Sequence, residues 1–354
     1  MKQICTHCGR LASEGARWCQ NRETNCPPDT LSLVFEHGEM LGGEIQIAQI
    51  WRVFRMSVIY HAHRGKQHVW VKVAHRGCEE PLKEEARLMA ALTHHPHSAY
   101  PQLVSAYSNE RRAYGRDTIQ GEAKYYIVYK PVQGQFLRDM LVQSPQLFPQ
   151  HAIWIGVQLA EALAYLHVAQ QRLLLNLHPD NVLLRTDKNG IPRPMLVDLM
   201  LSGPMQQVDV RWAQTYGVPA YLAPEQIRGE LCTPATDVYS LGLLIYEMLA
   251  GQPAYPTKMR KDDEVRGMVV NQYPTPLNQC RPELNPSLVG IVHQALDKSP
   301  ARRQPDMRSL AKGMQVMFGA VPAEPRSGLN RRTTIVLLAV IMVIALALLA
   351  WLIF

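Results

Sequence analysis

Four of the seven cysteines in this 354-residue chain fall within its first 26 positions, Cys5 and Cys8 as CTHC and Cys19 and Cys26 as CQNRETNC. Met1 to Arg10 holds no apolar segment of the secretory kind, so the clustered thiols point to a metal rather than to disulfides. Four thiolates match the tetrahedral shell of Zn²⁺, and a ribbon of about thirty residues has too little core to fold without such a clip. The first pair lies on a tight knuckle with Gly9 just beyond it, and the second has a six-residue spacing, wider than zinc ribbons usually show. His7 reads as a neighbour of the thiols rather than a ligand.

A second group of chemically suggestive residues lies in LLNLHPDNVLL, Leu174 to Leu184, followed by LVDLM ending at Met200. The stretch resembles the catalytic and metal-binding loops of the protein kinase family, written there as HRDLKPEN and DFG. Pro179, Asn181 and Asp198 match. Leu174 and Leu175 stand in place of the family's His and Arg, Asn176 in place of its catalytic Asp, and His178 in place of its Lys. Leu199 and Met200 replace the Phe and Gly of DFG, and Val218 in GVPAY replaces a Thr. The resemblance implies that the Asp accepts the proton of the substrate hydroxyl, the Lys steadies the transferring phosphate and the Thr bonds to both. An Asn accepts a hydrogen bond but takes no proton at neutral pH, and loss of general-base action costs about 10²–10⁴ in rate. Without the loop Arg, ordering by phosphorylation of Thr215 is not expected. Leu174 is expected to pack against Leu199, and a side chain at Met200 to hold the loop in one conformation.

The elements that must position these loops carry the same likeness. Trp51 to His75 reads as three strands, WRVFR, VIYHAH and HVWVKVAH, with Val69, Val71 and Val73 alternating around Lys72. This resembles the start of a kinase amino-terminal lobe, which implies that Lys72 contacts the nucleotide's α- and β-phosphates and pairs with Glu85. Glu85 lies on a helix expected over Pro81 to Leu92, ahead of a turn at His94, His95 and Pro96 that the family also writes with His and Pro. The family's glycine loop is absent: Trp51, Val53 and Met56 occupy the glycine positions, so the phosphate lid is expected to be missing or remodelled. Tyr125 to Gly134, YYIVYKPVQG, resembles the last strand and hinge, with Tyr129 as gatekeeper, Lys130 and Pro131 as hinge and Val132 as backbone donor to adenine. An amphipathic helix is expected near Ala152 to Val168. Asn181 and Asp198 are the implied Mg²⁺ ligands, hard oxygen donors suited to a metal held with phosphates. AYLAPEQ and DVYSLGLLIYEML resemble the APE segment and helix F, where Glu225 is expected to pair with Arg303 and Asp237 to act structurally.

The chain is 47% hydrophobic, ample for a core, and its formal charge of +7 is spread without a run of like charges, which argues against nucleic acid. Ile335 to Phe354 is uncharged, and as a helix it spans about 30 Å, the thickness of a bilayer core. Arg326, Arg331 and Arg332 just before it place residues 1–330 on the cytosolic side, and with nothing after Phe354 the helix is expected to be a tail anchor. The expected fold is α+β, a bilobal kinase-like domain over 45–318 with lobes dividing near 132. Around it are expected a zinc ribbon over 1–30, a linker over 31–44, a tether over 319–332 and a transmembrane helix over 333–354. The expected function is that of a membrane-anchored pseudokinase acting on protein partners as scaffold or allosteric regulator, with zinc from the cysteines and ATP with Mg²⁺ implied by the resemblance. Two alternatives stand beside it. An active ATP-dependent Ser/Thr kinase is open because phosphoryl transfer is mostly positioning and electrostatics, and a docking module without nucleotide follows from the absent glycine loop.

Overall fold

A computed structural model describes residues 2–318 apart from 14–15, 22–25, 28–29, 95–96 and 120. The expected tether and transmembrane helix therefore lie outside the described residues, as do His95 and Pro96 of the expected turn.

The first two strands, β1 (Gln3–Cys5) and β2 (Leu31–Leu33), pair antiparallel and form the ribbon. A seven-stranded sheet follows, built from β3 (Met40–Leu41), β4 (Ile45–Val53), β5 (Ser57–Arg64), β6 (Gln67–Ala74), β7 (Leu103–Val104), β8 (Gly115–Ile119) and β9 (Glu122–Tyr129). Helix α1 (Glu79–His94) crosses between β6 and β7. It begins two residues before Pro81, because Glu79 and Glu80 in the first turn favour the positive helix end. Stretch 31–44, expected as a linker, instead holds β2 of the ribbon and β3 of the sheet, with Val34 and Phe35 buried between them. Ile4, Val34 and Phe35 belong to the same apolar cluster as Leu41, Val58, Tyr60 and Val71, so the ribbon is packed into the lobe's core. The Phe35 amide donates to the Tyr60 hydroxyl at 3.2 Å.

Strand β4 starts six residues before the expected WRVFR segment. Two register shifts, at Ile47/Gln49 and Ile50/Arg52, reverse the in-out alternation along it, which hides the strand from a period-two pattern. The β4–β5 connection is a tight turn closed by the Phe54 amide on the Ser57 carbonyl at 2.8 Å. His75 at the end of β6 holds that turn, its Nε2 lying 3.0 Å from the Phe54 carbonyl in a buried position.

The larger lobe opens with β10 (Gln135–Phe136), α2 (Leu137–Gln143), α3 (Pro149–Gln170) and β11 (Arg172–Leu173). Strands β12 (Val182–Thr186), β13 (Pro192–Leu196) and β14 (Gly203–Pro204) frame the loops, followed by α4 (Val210–Tyr216), α5 (Pro224–Arg228), α6 (Pro234–Ala250), α7 (Asp262–Asn271), α8 (Leu277–Cys280), α9 (Pro286–Ala295) and α10 (Met307–Phe318). Helix α3 is long and apolar enough to cross a membrane by length and composition, but it packs against α6 and α10 inside the lobe. Gly242 lets α6 meet α9 closely: a Cβ there would come within 2.9 Å of the Ala295 Cβ. The fold is thus α+β and bilobal, as expected, with the lobes joined at Lys130–Gly134 between β9 and β10.

The Arg303 guanidinium donates to both oxygens of Glu225 at 2.7 and 2.8 Å, and both side chains are buried. Removing one partner of such a pair strands a charge in the interior, so Arg303→Ala is expected to cost about 3–5 kcal/mol in a urea unfolding titration. Burial, with Lys124 adding to it, lowers the His75 imidazole to about 4 despite its backbone hydrogen bonds. As pH falls below about 6.5 the unfolded chain binds a proton that the folded chain refuses until about 4. Folding stability therefore declines across that window, by about 3 kcal/mol for this group. His75→Gln is expected to flatten that part of the pH–stability curve, read from unfolding midpoints between pH 7 and pH 4.5.

Candidate functional site

Period-two alternation puts Trp70 and Lys72 on the face of β6 opposite the core valines Val69, Val71 and Val73, and that face borders the cleft between the lobes. Lys72 Nζ bonds Glu85 of α1 and lies 2.5 Å from Asp198 Oδ1, with the ammonium wholly buried. Burial alone would lower the Lys72 pKa, but the two carboxylates outweigh it and raise it, so the group stays charged. Burial pushes Glu85 upward against the pull of Lys72. Its second oxygen accepts from the Tyr129 hydroxyl and the Leu199 amide, each at 3.2 Å. The structure joins Lys72 to Glu85 and adds Asp198, which the sequence suggested only as a metal ligand, and Tyr129 at the gatekeeper position adds a hydrogen bond.

The loop after β11 is pinned from behind. Asp237 of α6 accepts the amides of Leu174 and Leu175, each at 2.8 Å, and its Oδ2 lies 2.8 Å from His167 Nε2. Leu175 has φ of +63°, a left-handed conformation that costs a non-glycine residue about 1–2 kcal/mol. Its carbonyl accepts from Gln226 Nε2 at 2.9 Å, so the peptide units on both sides of Leu175 are held. Asn181 is spent on the same loop: Oδ1 accepts the His178 amide at 3.1 Å and Nδ2 donates to the Asn176 carbonyl.

A cavity of about 590 Å³ lies in front of this loop. Asn176, His178, Asp180, Asp198 and Val218 line one side, Trp51, Arg52 and Arg55 another, and Thr6, His7 and Cys8 of the ribbon a third. Asn181 and Val132 are not among the lining residues. Two carboxylates reach this space, and each has a cation. Asp198 is on Lys72, while Asp180 accepts from Arg138 Nε at 3.1 Å and lies 3.6 Å from His178 Nδ1. Burial opposes the Asp180 charge, yet His178, Arg138 and Arg52 hold its carboxyl well below the usual range. Arg138 also donates to Glu247 at 2.7 Å and to the Tyr221 hydroxyl at 2.8 Å, tying α2 to α6 and to the segment before α5.

Trp70, Phe136, Arg55 and Asp262 are given no role in the sequence expectations, and Trp51 enters them only as a residue at a glycine-loop position. The Trp51 ring lies 4.3 Å from Trp70 and 4.8 Å from Phe136, and the Arg52 guanidinium covers Phe136 at 4.0 Å while bonding Asp139 at 3.0 Å. Arg55, at the tip of the β4–β5 turn, donates to Asp262 of α7 at 2.8 Å and to the Gly217 carbonyl at 3.0 Å. Trp70 was the accessible signal, two residues from Lys72 on the same face.

In the ribbon, one ligand atom from each of Cys5, Cys8, Cys19 and Cys26 lies within 4.8 Å of the others, and Cys8 and Cys19 sulfurs are 3.5 Å apart. A tetrahedral zinc with Zn–S of about 2.3 Å spaces its sulfurs by about 3.8 Å, so the set can hold one such ion. Burial would raise the Cys8 thiol, but hydrogen bonds from Arg10, Asn21 and Cys19 bring it down to about 7.

The protein kinase family uses ATP with Mg²⁺. Lys72 and Asp198 suit the phosphate and metal end of such a ligand, whereas the aromatic residues between β6 and β10 do not suit its adenine end.

The protein kinase domain family matches residues 56–312. A probable serine/threonine-protein kinase of Streptomyces coelicolor is 29% identical over 279 residues, covering 76% of this chain and 39% of its own. Serine/threonine-protein kinase PknB of Mycolicibacterium smegmatis is 30% identical over 311 residues, covering 84% of this chain and 45% of its own. The chain thus spans less than half the length of these two relatives. The kinase domain of Mycobacterium tuberculosis PknI shares the fold, with a TM-score of 0.58 at 20% identity over 81% of this chain and 100% of that one. With two lobes, a Lys72–Glu85 pair and an Asp237-braced loop in the places this family keeps them, the chain belongs to the protein kinase family.

Proposed function

We propose that this chain is a membrane-tethered pseudokinase, a kinase-fold signalling protein that works through contacts with other proteins and transfers no phosphate at ordinary kinase rates. One observation carries the reading: among the described residues, each carboxylate that lines the cavity is already paired with a cation. Asn176 stands at the acid's place, and the two acids that share its cavity, Asp180 and Asp198, are each paired with a cation. The Asp180 carboxyl, which burial would raise but His178, Arg138 and Arg52 hold below its usual pKa, is a weak base, and the efficiency of general-base catalysis follows basicity. His178 and Val218 at the Lys and Thr positions add to the same loss.

The active-kinase reading has one observation in its favour, the intact Lys72 contacts to Glu85 and Asp198. A phosphotransfer assay on the full chain separates the two. The wild type and Asp198→Ala are expected to be equally silent on generic protein substrates, and Asn176→Asp to raise transfer by no more than about tenfold, because His178 and Val218 remain. Wild-type transfer at about 1 s⁻¹ or faster, abolished in Asp198→Ala, supports the active kinase instead.

The tether to the bilayer rests on the uncharged run Ile335 to Phe354 with Arg326, Arg331 and Arg332 before it. We assign structural zinc to the four ribbon thiolates. Fractionation of expressing cells is expected to leave the full chain in the carbonate-resistant membrane pellet and a chain ending at residue 330 in the supernatant. Purified protein is expected to carry about one zinc per chain by elemental analysis, and Cys8→Ser to lose it together with several degrees of melting temperature.

A further inference from the structure

We propose that Trp51 is an intramolecular stand-in for the adenine ring, so that the cleft takes no nucleotide. In a kinase fold, adenine meets the hinge backbone at the position of Val132 while the phosphates reach Lys72. The base must therefore lie between β6 above and β10 below. Trp70 forms that roof: it pairs with Tyr129, the last residue of β9 before the hinge, and is 1% exposed. Phe136 forms the floor, four residues past Val132 and paired with Leu183 of β12.

The Trp51 indole lies in the layer between them, 4.3 Å from one ring and 4.8 Å from the other. The indole is tilted by 36° and 47° to the two rings and fills the space by packing on both, and it has the fused five- and six-membered outline of a purine. Arg52 closes the outer edge by lying on Phe136 and bonding Asp139, which fastens the strand bearing Trp51 to the larger lobe. At the other end of the slot Lys72 is buried and bonded to two carboxylates, with which a phosphate would have to compete.

The inference deepens the pseudokinase reading without being required by it, since a nucleotide-bound cleft lacking a base would be equally silent in phosphotransfer. Thermal unfolding of the full chain is measured with millimolar Mg·ATP and, separately, with adenosine, which probes the ring slot alone. The wild type and Trp51→Phe, which keeps a ring in the slot, are expected to melt within about 1 °C of the ligand-free protein. Trp51→Ala removes a partly exposed ring and is expected to gain a shift of at least about 3 °C with Mg·ATP. Trp70→Ala serves as the second variant, and either Ala variant counts only if its circular dichroism matches the wild type. A saturable wild-type shift with Mg·ATP overturns the proposal and leaves the absent general base untouched. Folded Ala variants that still refuse both ligands overturn it as well, because the stack is then not what excludes the base.

Discussion

One buried ammonium organises the molecule. Lys72 belongs to the middle of the seven-stranded sheet, Glu85 to the helix that crosses it, and Asp198 to a loop of the larger lobe, so a single Nζ fixes three separate elements. Moving such a charge out of water costs several kcal/mol, which two carboxylates offset only when their remaining lone pairs are also used. Here Tyr129 and Leu199 complete the shell of Glu85. The orientation of β6 that this arrangement demands also aims Trp70 at the cleft, so the ion triad and the aromatic stack share one strand face.

Around that centre the polar groups that shape the loops match the family, whereas Asn176, His178 and Val218 depart from it. Asp237, Gln226 and Asn181 bond the backbone of the loop from Leu174 to His178, including the left-handed Leu175. Arg138 gathers Asp180, Glu247 and Tyr221 into one network. These interactions hold main-chain geometry and are indifferent to whether position 176 is an acid or an amide. A loop can thus keep the family's shape whatever side chains stand at 176 and 178, and this division explains why the fold is easily recognised.

Much of this frame was legible because it is written in local periods. Alternation about Lys72 and helical spacing about Glu85 specified which faces meet, and the APE-like and helix F-like stretches anticipated the Glu225–Arg303 pair. The misread stretches have physical causes. Two bulges in β4 invert its alternation, so Trp51 looks like a lid residue when it is an inward ring. Arg55 and Asp262 are 207 positions apart, and a salt bridge of that span leaves no periodic trace in the chain. The ribbon's extent was hidden for a related reason: its second strand follows the cysteines by several residues and is recognisable only through its partner.

The packing of Ile4 against Leu41, Val58 and Tyr60 changes what counts as the globular unit. The family match opens at residue 56, inside the turn between β4 and β5, and so divides a hairpin and strips the sheet of its outer two strands. A fragment trimmed to that boundary would expose an apolar surface that the natural chain covers with its own first turns. The ribbon and the kinase lobes belong to one compact unit, so the two-stranded ribbon is a structural part of the kinase body.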